Sequence, residues 1–153
     1  MTDDTAYSGR FEGKTHLLPV RVYYEDTDLS GVVYHAGYLR FLERGRSDFL
    51  RCVGVHHAAL LEQQLAFAVT AISVKFAQAA RIDDALVVRT RFTHVAGVRM
   101  FVSQEVVRDG RLLTSAEVEA VTIGLDGRPK RLPAEVRARL EPWLSGSTTQ
   151  HTA

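Results

Sequence analysis

The chain has 153 residues, 46% apolar and 24% charged, and 19 basic residues against 18 acidic ones leave a net charge of +1. That is one domain's length with a globular composition, not the composition of a disordered or fibrous chain. The charge balance provides no global field for nucleic acid or anionic lipid, so any polyanion would have to meet a local patch. The lone Cys52 excludes an internal disulfide framework and a cysteine-based zinc cage. Its place near the apolar face of a helix predicts a buried, inert thiol rather than a nucleophile. No N-terminal apolar run resembles a signal peptide and no run of ~20 apolar residues could span a membrane, so a soluble, cytoplasmic protein with no membrane-embedded part is expected.

Residues 1–14 are polar, with Gly9 and Gly13, and read as a flexible leader. A first strand is expected over His16–Glu25. A long amphipathic helix follows from Ala36 to Cys52. Tyr38, Leu42, Gly45, Phe49 and Cys52 or Val53 recur three or four apart, Leu39 and Leu50 widen the stripe, and Phe41 lies beside it. Arg40, Glu43, Arg44, Arg46, Asp48 and Arg51 take the other face. Gly54 stands where a C′ glycine would end the helix. Gly45 costs roughly 1 kcal/mol relative to alanine, which predicts close packing there against another backbone. His56–Gln64 reads as a short helical connection.

Period-two alternation then marks four strands, Phe67–Ala77, Ala85–Val95, Val98–Val107 and Leu112–Ile123. Asp83-Asp84, Ala96-Gly97, Asp109-Gly110 and Asp126-Gly127 punctuate them, and Asp109-Gly110 is a strong two-residue hairpin signal. Tight turns between successive strands predict an antiparallel meander. Pro133 opens a C-terminal helix carrying Val136, Leu140 and Trp143. Residues 145–153 read as a disordered tail, leaving 15–144 as one domain. The expected class is α+β: a curved antiparallel sheet of about five strands, its ends curled by native twist around one long helix. That is the hot-dog architecture.

The stretch that carries chemistry is Tyr23 to His35. Asp28 and His35 arrive, seven residues apart, where a strand is handed to a helix N-terminus. There the first N–H groups lack internal partners and favour negative charge. Val22-Tyr23-Tyr24-Glu25-Asp26-Thr27-Asp28, Gly31-Val32-Val33-Tyr34-His35-Ala36, Tyr38-Leu39 and Phe41-Leu42-Glu43-Arg44 together resemble the signature of hot-dog acyl-CoA thioesterases. The resemblance is to the YbgC-like, Tol-Pal-associated branch, a relative of 4-hydroxybenzoyl-CoA thioesterase, and the strand pattern extends it over roughly residues 16–142. Ala80-Arg81-Ile82-Asp83-Asp84 also resembles the family's turn before its third strand. Gly37 departs from the family, which commonly has a polar residue there.

The resemblance implies that Asp28 is the catalytic carboxylate, acting as nucleophile through a mixed anhydride or as a base on water. It implies that the His35 backbone N–H polarises the thioester carbonyl, and that the His35 side chain and Tyr24 lie near the site. A helix N-terminus favours a neutral imidazole at His35. Each residue also has a purely structural reading. Asp28 fits a turn or capping aspartate, His35 a cap, and Tyr24 a strand aromatic packed on the helix. Asp26 and Glu25 read as turn or solvent acids. Glu43 lies eight residues past His35, about 12 Å along the axis, too far to share a thioester with Asp28; an ion pair with Arg46 or Arg40 is expected.

The histidines, His16, His35, His56, His57, His94 and His151, show no metal-ligand spacing with nearby acids, so no metal is expected. No cofactor is expected either, the CoA moiety being part of the substrate. Lys75, Arg89, Arg91, Arg128, Lys130 and Arg131 could meet CoA phosphates; a solvated strand face explains Arg89 and Arg91 equally well, and Arg128, Lys130 and Arg131 are the better candidates for a phosphate or partner contact. An open sheet edge calls for a second copy, and the resemblance implies homodimers assembling to homotetramers with the site between protomers. The leading function is acyl-CoA hydrolysis. A hot-dog 3-hydroxyacyl dehydratase or hydratase, which would release no thiol, and a non-catalytic acyl-CoA or partner-binding module are the alternatives.

Overall fold

A computed structural model describes residues 6–146. Six strands, β1 (Arg10–Glu12), β2 (Thr15–Arg21), β3 (Leu65–Phe76), β4 (Ala85–Ala96), β5 (Arg99–Arg108) and β6 (Arg111–Gly124), form one sheet. Its helices are α1 (His35–Cys52), α2 (His57–Glu62) and α3 (Ala134–Leu140). The sheet order is β1-β2-β4-β5-β6-β3, with every neighbouring pair antiparallel.

The expected meander holds only for β4-β5-β6. β3 leaves its sequence neighbour β4 and pairs with β6 at the far edge, from Leu65 opposite Gly124 to Phe76 opposite Thr114. The connection between β3 and β4 is therefore a crossover over residues 77–84, not a tight turn at Asp83-Asp84. Three register shifts, at Val69/Ala71, Phe92/His94 and Val106/Val107, add bends to the native twist and curl the sheet around α1. The strand count is six because Arg10–Glu12, within the expected leader, pairs with β2. Ser145 and Gly146 likewise hydrogen-bond back to β4 through the Phe92 and Thr93 carbonyls. The remainder of the leader and tail, residues 1–5 and 147–153, lies outside the described residues.

The helix stripe forms much as its period dictates. Tyr38, Phe41, Leu42, Phe49 and Leu50 are buried, while Leu39 is 42% exposed. One cluster joins Tyr38, Phe41 and Leu42 to Val22, Leu86, Val88, Val106 and Leu113. A second joins Phe49 and Leu50 to Phe92, Met100, Val102 and Val118, and takes Val136 and Leu140 from α3. Each such side chain contributes roughly 1.5–3 kcal/mol by leaving water. The helix ends as Gly54 predicts. At φ 90° its N–H bonds the Arg51 carbonyl at 3.0 Å and the Val55 N–H bonds that of Leu50 at 2.8 Å, the paired bonds of a Schellman cap. The Asp109-Gly110 hairpin also forms as predicted, with both residues at positive φ (51° and 77°).

Gly45 lies between the two clusters. A Cβ built there would stand 2.7 Å from Val88 Cγ1, 2.8 Å from Thr90 Oγ1 and 3.1 Å from Gln104 Nε2. The close approach is therefore to strand side chains, not to a backbone. Buried Gln104 fastens the contact by donating to the Leu42 carbonyl (2.8 Å) and Thr90 Oγ1 (2.9 Å), while its own carbonyl accepts from Arg46 (3.1 Å).

Candidate active site

β2 stops at Arg21, four residues short of the expected end, because the chain is drawn into a 3₁₀ turn at Tyr24–Asp26. The Asp26 carboxylate, buried, accepts the Tyr23 N–H at 2.8 Å and shapes this turn. Residues 27–33 then make a tight loop. Thr27 bridges Val33, and the Asp28 N–H reaches the Val32 carbonyl at 3.0 Å. The crossover pins the loop from outside. Val33 donates to the Ala80 carbonyl at 2.9 Å and Ile82 to that of Gly31 at 3.0 Å. The Ala80 N–H in turn donates to the buried Tyr38 hydroxyl at 2.9 Å, so helix, loop and crossover form one connected unit. An ion pair of 2.7 Å between Arg108 and Asp84 holds the crossover's other end to β5. Gly37 is explained here. A Cβ on it would stand 2.9 Å from Val33 Cγ1, so the loop seats itself on a bare helix start.

Asp28 is exposed at the mouth of a pocket of about 450 Å³ that it shares with Val32, Val33, Tyr34, His35, Tyr38, Phe76, Ala77, Gln78 and Ala79. Its Oδ1 accepts the Ser30 N–H (2.8 Å), the Ser30 hydroxyl (2.5 Å) and, weakly, the Val32 N–H (3.4 Å). These bonds are an Asx turn, and they leave Oδ2 without a protein hydrogen bond among the described residues. The Ser30 hydroxyl first, then the Ser30 N–H, hold the carboxyl below the usual aspartate range, so Asp28 is ionised at neutral and mildly acidic pH. Ser30→Ala is expected to raise the Asp28 pKa toward the ordinary aspartate value. An NMR titration of the side-chain carboxyl carbon checks this, and an unmoved midpoint would show that the hydroxyl is not responsible.

His35 is the first residue of α1, so its N–H has no i−4 helix carbonyl and lies in the turn that favours developing negative charge. Its ring meets Phe76 edge-on, with centroids 4.9 Å apart. The pocket thus holds an ionised acid, a helix-terminal donor and an apolar wall from the end of β3. Tyr24 is not brought into it. That ring is 78% exposed on the 3₁₀ turn and packs on no helix, because the strand it was assigned to has already ended. Glu43 accepts the Ser47 hydroxyl and makes no ion pair within 4 Å with Arg46 or Arg40 among the described residues, although its charge still favours the Arg46 cation, and Ser47 Oγ also lies 3.0 Å from His57 Nε2. Cys52 is exposed at the helix end, not buried.

Arg128, Lys130 and Arg131 follow β6 on the loop leading to α3, and Lys130 pairs with Asp126 at 3.8 Å. Within one chain they stand far from Asp28. Gly124, next to the cluster, pairs with Leu65 at one end of β3, and Phe76 of the pocket is at the other. The separation is about 36 Å of strand. Phe76, Gln78 and Tyr38 were not picked out as site residues from the sequence. The signal for the crossover was the Ala80–Asp84 turn, but no local pattern tells which residues of a crossover face a pocket.

The thioesterase-like superfamily matches residues 22–140, from the strand end before the Asp28 loop to the end of α3. The chain belongs to that superfamily. Over 123 residues it is 43% identical to an acyl-CoA thioesterase YbgC of Haemophilus influenzae, covering 79% of this chain and 90% of that one. It is 40% identical over 125 residues to an acyl-CoA thioester hydrolase YbgC of Escherichia coli, covering 80% and 93%. A solved probable thioesterase from Bartonella henselae superposes on this thioesterase with a TM-score of 0.75 at 42% identity, covering 78% of this chain and 99% of that one.

Proposed function

We propose that this thioester hydrolase cleaves an acyl-CoA to a free acid and CoA, with Asp28 attacking the carbonyl or activating water and the His35 N–H receiving the negative charge on the oxygen. The observation that carries the reading is the shared pocket: an ionised carboxylate with a free oxygen faces the first turn of α1 beside the Phe76 wall. The chemistry needs a charge-stabilising donor and a base or nucleophile, and no bound cofactor at this pocket, since CoA arrives as part of the substrate. The His35 ring supports orientation of the thioester or water. Tyr24, exposed on its turn, takes part only if a neighbouring copy covers it.

The active form is a homodimer paired through β3, two of which make a tetramer. β3 is a twelve-residue edge strand carrying exposed Val69, Ile72 and Phe76, whereas the opposite edge, β1, has three residues. A long apolar edge is an aggregation liability unless it is paired. A two-fold axis centred on β3 would bring its Leu65 end beside the Phe76 of a second copy. That would carry the second copy's Arg128, Lys130 and Arg131 toward the pocket, where CoA phosphates need cations. No helix among the described residues is long and apolar enough to cross a membrane. The test is free-thiol release from a panel of short, long and aromatic acyl-CoAs. At least one should be turned over well above an Asp28→Asn control, and a panel with no activity above that control would refute the reading.

A further inference from the structure

At the end of α1 remote from the Asp28 pocket, three side chains of different kinds turn their ligand atoms toward one point. Asp48 and Cys52 stand four residues apart on α1 and share a face of the helix. His16 of β2, fully buried, directs Nε2 at both. Nε2 lies 2.7 Å from Asp48 Oδ2 and 3.7 Å from Cys52 Sγ, and Sγ lies 3.7 Å from Oδ2. Tetrahedral zinc, with bonds of roughly 2.0–2.3 Å, sets nitrogen, oxygen and sulfur donors about 3.3–3.6 Å apart. The two edges that include sulfur are already close to that length. Only the histidine–aspartate contact must open, by roughly 0.6 Å.

We propose that His16, Asp48 and Cys52 form a zinc site that fastens the start of β2 to the C-terminal end of α1. The donor set suits the ion: a neutral imidazole, a carboxylate and a thiolate bring two negative charges to a dication of borderline softness. The surroundings orient the donors. Phe11 and Phe49 hold the His16 ring with centroids at 5.3 and 5.9 Å, and the Gly9 N–H donates to Asp48 Oδ2 at 2.7 Å. The Ser8 hydroxyl, 3.3 Å from Sγ and 3.0 Å from Asp48 Oδ1, borders the fourth position, which it or a water fills. On binding, the thiol proton is released to solvent and the imidazole proton moves from Nε2 to Nδ1, which is buried without a hydrogen-bond partner among the described residues, a cost the ion's bonds have to exceed. Cys52 is about 26 Å along the helix from His35, so the ion takes no part in thioester cleavage and acts as a clamp. The histidine spacing gave no sign of this site because two of its ligands are not histidines and the third comes from another element.

The test uses the full chain without an affinity tag, freed of metal by a chelator and titrated with Co²⁺. One equivalent should produce a thiolate-to-cobalt charge-transfer band with strong tetrahedral d–d absorption, and Zn²⁺ should displace both. Zinc should also raise the melting temperature of the wild type by clearly more than that of Cys52→Ser at the same zinc concentration. Cys52 is exposed, so this variant should fold, and its affinity should fall by about tenfold or more, the loss seen when even an outer-shell partner is removed. A wild-type cobalt spectrum with no thiolate band, or equal zinc shifts in wild type and Cys52→Ser, would overturn the proposal.

Discussion

Asp28→Asn is expected to lower kcat/KM for the best acyl-CoA by about 10²–10⁴-fold, the range lost with a positioned base, and to act mainly through kcat. The variant is a sharp probe because it changes so little else. Asparagine keeps a carbonyl oxygen where Oδ1 accepts from Ser30 and Val32, so the Asx turn that shapes the loop should survive. What is lost is the negative charge and the second oxygen, the one without a protein hydrogen bond. The loop is anchored through Ala80 and Gly31 main-chain bonds that the substitution does not touch, so the melting temperature should move little. Initial rates of CoA release, with melting curves on the same samples, separate the outcomes. An Asp28→Asn protein as active as wild type would remove the carboxylate from the mechanism and leave its turn-forming role as the whole explanation.

Gly45→Val is expected to lower stability by about 1–3 kcal/mol, or several degrees of melting temperature at this chain length. The new Cβ would arrive within 3 Å of Val88 and Thr90, and its methyl groups would press on Gln104. Gln104 is buried with its three bonds, to Leu42, Thr90 and Arg46, all in use. Moving it strands polar atoms between helix and sheet, which adds to the cost of overpacking. Gly45→Ala separates two opposing effects. Alanine gains roughly 1 kcal/mol of helix propensity but still brings a Cβ too close, so a net loss is expected, smaller than that of valine. Thermal melts of both variants check the order, and unchanged melting for valine would refute the close contact of α1 with β4 at Gly45.

How much of this was legible in advance depended on the range of the interaction. The α1 stripe, the Gly54 cap and the Asp109-Gly110 hairpin are settled within a few residues of themselves, by side-chain period and by the positive φ that glycine tolerates, and they form where the sequence puts them. The Asp28 and His35 positions were legible as an ordered motif. Tyr24 was misplaced because a local hydrogen bond, from the Tyr23 N–H to the Asp26 carboxylate, ends the strand earlier than alternation suggests. Cys52 was misread because it is the last residue of α1 and stays exposed there, and Glu43 because its carboxylate accepts from Ser47, one turn on.

The sequence by itself determined the kind and order of the main elements, the helix that fills the sheet, and the acid and histidine that meet at its start. These follow from period, turn chemistry and chain order, all of them local. Only the tertiary structure decided that β3 pairs with β6 rather than β4, that the crossover braces the Asp28 loop, and that His16 faces Asp48 and Cys52. The physical reason is that a strand's alternation says which side is apolar but not which edge it will join. That choice belongs to distant chain segments competing for the same hydrogen-bonding groups.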